Sequence, residues 1–163
     1  MAERITKTGT KVASDVKLGM HLCAFYQTKK DLIDILVPYF KVGLDSNQFC
    51  VWVTSETLEA QEAVRMMRKA VPYFDACLQK GQMEFFPHDE WYLKDGVFEP
   101  QRVLNGWIDK LNQALAQGYE GMRISGDTAW IEERDWTAFT DYEEEVNRII
   151  SKLKMIAICT YSQ

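Results

Sequence analysis

Histidine, proline and cysteine are scarce in this chain of 163 residues (2, 4 and 4), and each shortage closes off a class of chemistry. With so few histidines, no HExxH helix, no Gly-x-Ser-x-Gly elbow and no Ser/His/Asp order, there is no recognisable set of bases and nucleophiles, so catalysis is not expected. The cysteines Cys23, Cys50, Cys77 and Cys159 stand far apart and form no CxxC pair. That speaks against a zinc ribbon, a thioredoxin-type motif or a disulfide framework, and they read as reduced thiols. No apolar run approaches the roughly 20 residues of a membrane span, and the polar N-terminus has no hydrophobic signal core; a cytoplasmic protein with no membrane partner is expected. Positive charge is short as well. The net charge is −5 and the basic residues are scattered, so direct nucleic-acid binding is not expected.

Glycine is missing where its absence matters most. In Gly19 to Leu32, GMHLCAFYQTKKDL, a strand-length apolar run breaks into a polar turn and a helical pattern opens at Asp31, as at the start of a parallel βα unit. A phosphate loop at this turn needs glycines so that successive N–H groups can wrap the phosphates, and Tyr26 to Asp31 has none. Alternation sets His21, Cys23 and Phe25 on one strand face and Leu22, Ala24 and Tyr26 on the other. Taken alone, a strand-borne Cys and a lone His read either as core residues or as functional groups.

What is present is an ordinary globular composition, 47% hydrophobic and 26% charged, enough for one α/β domain. Residues 1–17 form a polar lead-in, either partly disordered or adding an edge segment, and residues 18–163 a single domain. The helix after the first strand carries an apolar stripe to Leu44, with Pro38 expected to kink or split it. FCVWVT, apolar on both faces, reads as an interior parallel strand, and Ser55 or Thr57 as the cap of the following helix. A short helix stopped by Gly81 leads to the strand MEFFP.

The loop from His88 to Glu99 brings Asp89, Trp91 and Tyr92 to a C-terminal strand end. It reads equally as ligand-facing or as pinned down by its own aromatics. A helix opening at Pro100 precedes the strand Gly121 to Ser125, which delivers Asp127, a cap or ligand hydrogen-bond acceptor in preference to a metal ligand. Trp130 and Trp136 flank a charged turn, a last helix follows, and MIAICTYS brings Cys159 and Tyr161 to another strand end. The pattern is a β-α repeat of five parallel strands. A chain stopping so soon after its last strand suggests a sensor or binding module from a longer polypeptide.

HLCAFY followed by LVPYF, the strand FCVWVT, the spacing Phe139, Tyr142, Glu143, Asn147 and the terminal ICTYS together resemble the MEDS domain, the methanogen/methylotroph sensory domain, from about Gly19 to Ser162. The resemblance implies a three-layer Rossmann-like α/β fold with helices on both faces, similar to a RecA/KaiC-type core that has lost its phosphate motif. It implies a sensory module for one-carbon or hydrocarbon-derived compounds, relaying to a histidine kinase, PAS or helix-turn-helix output in signal transduction. It carries the family's characteristic residues onto His21, Cys23, Tyr26, Tyr142, Glu143, Asn147, Cys159 and Tyr161.

The expectation is a non-catalytic sensor with no cofactor and no resident metal, binding a small, largely apolar ligand beyond the C-terminal strand ends. Its site residues are His21, Cys23, Tyr26, Trp52, Asp89, Trp91, Tyr92, Asp127, Trp130, Glu143, Cys159 and Tyr161. His21 sits awkwardly in this set, because it starts its strand at the end away from the crevice. A homodimer stays open. The competing readings are a degenerate nucleotide-binding domain, supported by fold analogy alone, and a thiol or metal sensor using Cys23, Cys159, His21 and His88.

Overall fold

The computed structural model describes residues 3–5 and 16–163. Six strands among them form one parallel sheet: β1 (Glu3–Ile5), β2 (His21–Tyr26), β3 (Gln48–Thr54), β4 (Met83–Pro87), β7 (Gly121–Asp127) and β8 (Met155–Ser162), in the spatial order β1-β2-β8-β7-β3-β4. Five are the strands expected from the sequence. The sixth, β1, pairs parallel with β2 at one edge, and the rest of the polar lead-in before residue 16 lies outside the described residues. A separate two-stranded antiparallel ribbon joins β5 (Leu93–Lys94) to β6 (Val97–Phe98).

Helices cover both faces, which makes three layers. One face carries α1 (Lys29–Asp45), α2 (Ala60–Ala70) and α3 (Phe74–Gln79), packed through Leu36, Phe40, Met67 and Phe74 onto Leu22, Trp52 and Ile158. The other carries α5 (Pro100–Ala116) and α6 (Trp136–Ile149), packed through Val103, Trp107, Phe139 and Val146 onto Val51, Ile124 and Ala157. In chain order the one-turn helix α4 (His88–Trp91) comes between these two sets, and its Trp91 packs against the second. β3 is buried at all seven positions because both faces are covered, the reason FCVWVT shows no polar alternation.

The turn after β2 is closed by the chain itself. Thr28 caps α1: its hydroxyl accepts from the Asp31 N–H, while the Asp31 carboxylate accepts from the N–H groups of Thr28 (2.9 Å) and Gln27 (3.1 Å). An acidic side chain thus occupies N–H groups that a phosphate loop would turn toward its ligand.

Three local expectations are corrected. Of the kink or split expected at Pro38, the split does not occur: α1 is one helix through all 17 residues. Buried Leu36, Val37, Tyr39 and Phe40 hold the backbone to the sheet on both sides of the proline, and the Tyr39 hydroxyl donates to the carbonyls of Ile124 (2.8 Å) and Ile156 (3.2 Å). Neither Ser55 nor Thr57 caps α2, whose N-cap is Glu59 without a side-chain bond. The stretch from His88 is no open loop either, since α4 and the β5–β6 ribbon give it regular structure.

Candidate functional site

Two groups of polar side chains stand on opposite faces of the sheet. The first lies at the C-terminal strand ends beneath α1. There the Tyr26 hydroxyl donates to both oxygens of Asp127, the Ser55 hydroxyl donates to the same carboxylate in a very short bond, and the Ala129 N–H adds a fourth contact at 3.2 Å. All three side chains are buried. Burial is the main cause that raises the Tyr26 phenol from 10.0 to about 12; the Thr57 hydroxyl opposes it and the Asp127 charge adds to it. Asp127 is therefore an acceptor, with its capacity largely used by the chain's own hydroxyls. Beside this knot, Ser55, Glu56, Glu59, His88 and Asp89 help line a cleft of about 400 Å³.

The second group is on the α6 face. His21 on β2 and Cys159 on β8 meet Glu143 and Asn147, one helical turn apart on α6. The His21 Nδ1–H donates to Asn147 Oδ1 at 2.7 Å, and His21 Nε2 lies 3.4 Å from Cys159 Sγ and 3.3 Å from Glu143 Oε2. The Cys159 thiol donates to Glu143 Oε1 at 2.9 Å. Burial, then the neighbouring Glu143 charge, pushes that thiol well above its usual range. His21 begins its strand, as the sequence implied, yet it is no outlier, because α6 crosses this part of the sheet and brings Glu143 and Asn147 down onto it.

Three other candidate residues fall beside this group. Cys23 is the register partner of Cys159, and Tyr161 stacks on Phe25 with ring centroids 5.5 Å apart. Tyr92 packs against Trp130 at 5.0 Å within an aromatic layer that includes Phe98, Phe139 and Tyr142. Trp91 lies over Trp107 at 4.2 Å. Trp52 does not face the crevice. It is buried between Phe40 (5.1 Å) and Phe85 (5.9 Å), where an interior strand directs every second side chain into the helix layer. His88 stacks on Trp130 at 6.4 Å and is not among the His21, Glu143 and Cys159 atoms that converge.

Ser55 is a site residue that sequence reasoning placed in the wrong role, as a cap. Its true partner lies 72 positions away, and nothing local signals that. The joint placement of Glu143 and Asn147 was readable in principle, since residues four apart share a helix face.

These features define a Rossmann-like three-layer domain whose first βα turn is self-capped and whose polar groups gather in buried clusters. The chain belongs to the MEDS family, described as the MEthanogen/methylotroph, DcmR Sensory domain, whose family model matches residues 20–163. Family membership assigns it a sensory role. The chain is also similar to the transcriptional repressor DcmR of Methylorubrum extorquens (strain DSM 6343 / CIP 106787 / DM4), with 25% identity over 156 residues. That alignment covers 93% of this chain and 56% of the repressor, so the chain spans little more than half of the relative's length. Among the described residues no helix is long and apolar enough to cross a membrane.

Proposed function

We propose that this domain is a non-catalytic cytoplasmic sensor that binds a small, largely apolar compound carrying one hydrogen-bond acceptor. One-carbon and short hydrocarbon derivatives bearing a halide, hydroxyl or carbonyl fit that description. The observation supporting this most directly is a pair of unpaired donors. The indole Nε1 atoms of Trp91 and Trp130 are buried without a hydrogen-bond partner, at the end of the sheet reached by β4 and β7. A buried N–H left unpaired costs about 1–3 kcal/mol, and in a wall of aromatic rings an acceptor on a small ligand recovers that cost. Tyr92, packed on Trp130, supplies apolar wall, and Asp127 and Asp89 lie at the same end of the sheet.

The signal would pass to an output segment outside this domain. Similarity to a transcriptional repressor of which the chain spans 56% supports a transcription-regulator output ahead of a histidine kinase. Ligand binding acts by favouring one of two packings of the α4 and ribbon segment against the aromatic layer.

A thermal-shift screen with short-chain halides, alcohols, amines and thiols, and separately with ATP and Mg²⁺, tests the reading. A ligand at about 100 times its Kd stabilises the fold by roughly 2.7 kcal/mol, a shift of about 5–10 degrees in Tm. Trp130→Phe and Trp91→Phe keep a ring and remove the N–H, so the shift should shrink in both. A response to nucleotide alone, or equal protection of wild type and both variants, overturns the proposal.

A further inference from the structure

We propose that His21, Glu143 and Cys159 form a binding site for a divalent transition metal of the zinc class. The assignment stands apart from the small-molecule reading, which rests on the tryptophans at the sheet's end.

Three donors of different chemistry converge from three elements. One ligand atom each from His21, Glu143 and Cys159 can be chosen so that all lie within 4.8 Å of one another. For bonds of about 2.0–2.3 Å, the edges of a tetrahedral site are roughly 3.3–3.6 Å long. His21 Nε2 to Cys159 Sγ at 3.4 Å and His21 Nε2 to Glu143 Oε2 at 3.3 Å already have that length. A thiolate with an imidazole selects zinc-like ions over magnesium or calcium, which prefer oxygen alone.

The hydrogen-bond inventory favours a cation here. Asn147 Oδ1 is only an acceptor, so the hydrogen it takes fixes the Nδ1–H form of His21 and turns the Nε2 lone pair toward Glu143 and Cys159. The one thiol hydrogen goes to Glu143 Oε1. Nε2 and Glu143 Oε2 are then two acceptors 3.3 Å apart with no hydrogen between them. A metal ion bound by the Nε2 lone pair, this carboxylate oxygen and the Cys159 sulfur joins them. Asn147 also performs the task of an outer partner of a metal-bound histidine, holding the ring's tautomer and orientation through the nitrogen that does not bind.

The layout permits entry and exchange. Glu143 is a carboxylate on the rim of the cluster with its side chain 16% accessible, while that of His21 is 2% accessible. Three protein ligands leave a fourth position for water or a small donor molecule, the arrangement of an open rather than a purely structural zinc site. Cys23, although in register with Cys159, falls outside the convergent set.

The test uses the full chain prepared without a histidine tag, stripped with chelator, checked for folding by circular dichroism and titrated with Co²⁺ and then Zn²⁺. The expected result is a saturable thiolate-to-cobalt charge-transfer band that Zn²⁺ displaces. Cys159→Ser abolishes the band, whereas Cys23→Ser and Cys77→Ser keep it. Asn147→Ala, which leaves all three ligands in place, weakens Co²⁺ binding by about 10–100-fold. Folded wild-type protein that gives no band and does not compete with a chromophoric chelator for Zn²⁺ overturns the proposal. Loss of the band in Cys23→Ser overturns the assigned ligand set.

Discussion

Tyr26 and Asp127, 101 positions apart in sequence, are joined across an intervening strand: the phenol on β2 donates to both carboxylate oxygens on β7, at 3.0 and 2.9 Å, with β8 between them. The bridge ties the edge half of the sheet to its centre at the end where ligands of this fold class bind.

Tyr26→Phe removes that donor and leaves the buried carboxylate with only the Ser55 hydroxyl and the Ala129 N–H. We expect a loss of about 1–3 kcal/mol of unfolding free energy. Urea denaturation monitored by circular dichroism measures it, and a variant as stable as wild type would show that the bridge contributes nothing net.

Gly126 is required by close approach rather than by backbone freedom. A Cβ there overlaps the Tyr92 hydroxyl and lies 3.0 Å from its Cζ, so Gly126→Ala must displace the ring that packs on Trp130. The expected cost is about 1–3 kcal/mol, the usual range for overpacking. Tryptophan fluorescence and near-ultraviolet circular dichroism should change with it, since Tyr92 cannot move without loosening Trp130.

Trp52→Ala tests whether that tryptophan is core or pocket. Buried between Phe40 and Phe85, it should cost about 3–5 kcal/mol on truncation, mostly through the cavity left behind. A ligand-facing residue would give a smaller loss of stability and a larger loss of ligand protection in the thermal-shift screen.

Alkaline pH should unfold the domain before it would an average protein. Burial raises the Cys50 thiol from 9.0 to about 12 against the opposing Arg123 guanidinium, and raises the Tyr26 phenol from 10.0 to about 12; the Tyr39 phenol is driven higher still, again by burial. Each group is held neutral in the fold, so its contribution is complete below its unfolded pKa and is lost as pH rises from there toward the folded value, because the unfolded chain ionises first. These groups therefore leave Tm unaffected below about pH 8 and lower it progressively between about 9 and 12. Thermal melts across that range check it; a Tm unchanged at pH 11 would contradict the assignment of these three groups as buried and neutral.

The domain's architecture was legible because the physics that sets it is local. Apolar strands alternating with stripes of period 3.6 specify βα units, and the missing glycines at Tyr26 to Asp31 rule out a phosphate loop whatever lies nearby. The capping box at Thr28 and Asp31 is local too, a matter of three-residue spacing. Pro38 shows the limit of local rules, since its cost inside a helix is real but tertiary packing of its neighbours outweighs it.

The sequence by itself determined the class of fold, the lack of a glycine-rich phosphate loop and the strand faces on which His21 and Cys159 would lie, and it brought Asp127 only to a strand end. Only the tertiary structure decided who meets whom. The strand order β2-β8-β7 carries Tyr26 to Asp127, Ser55 arrives at the same carboxylate from the end of β3, and the passage of α6 over β2 and β8 sets Glu143 and Asn147 on His21. Such contacts join residues 72 to 126 positions apart, and no periodicity within a segment encodes which strand will become its neighbour. That choice is made when the whole core is buried at once, because a strand gains its partner from the global packing of both helix layers rather than from its own side chains.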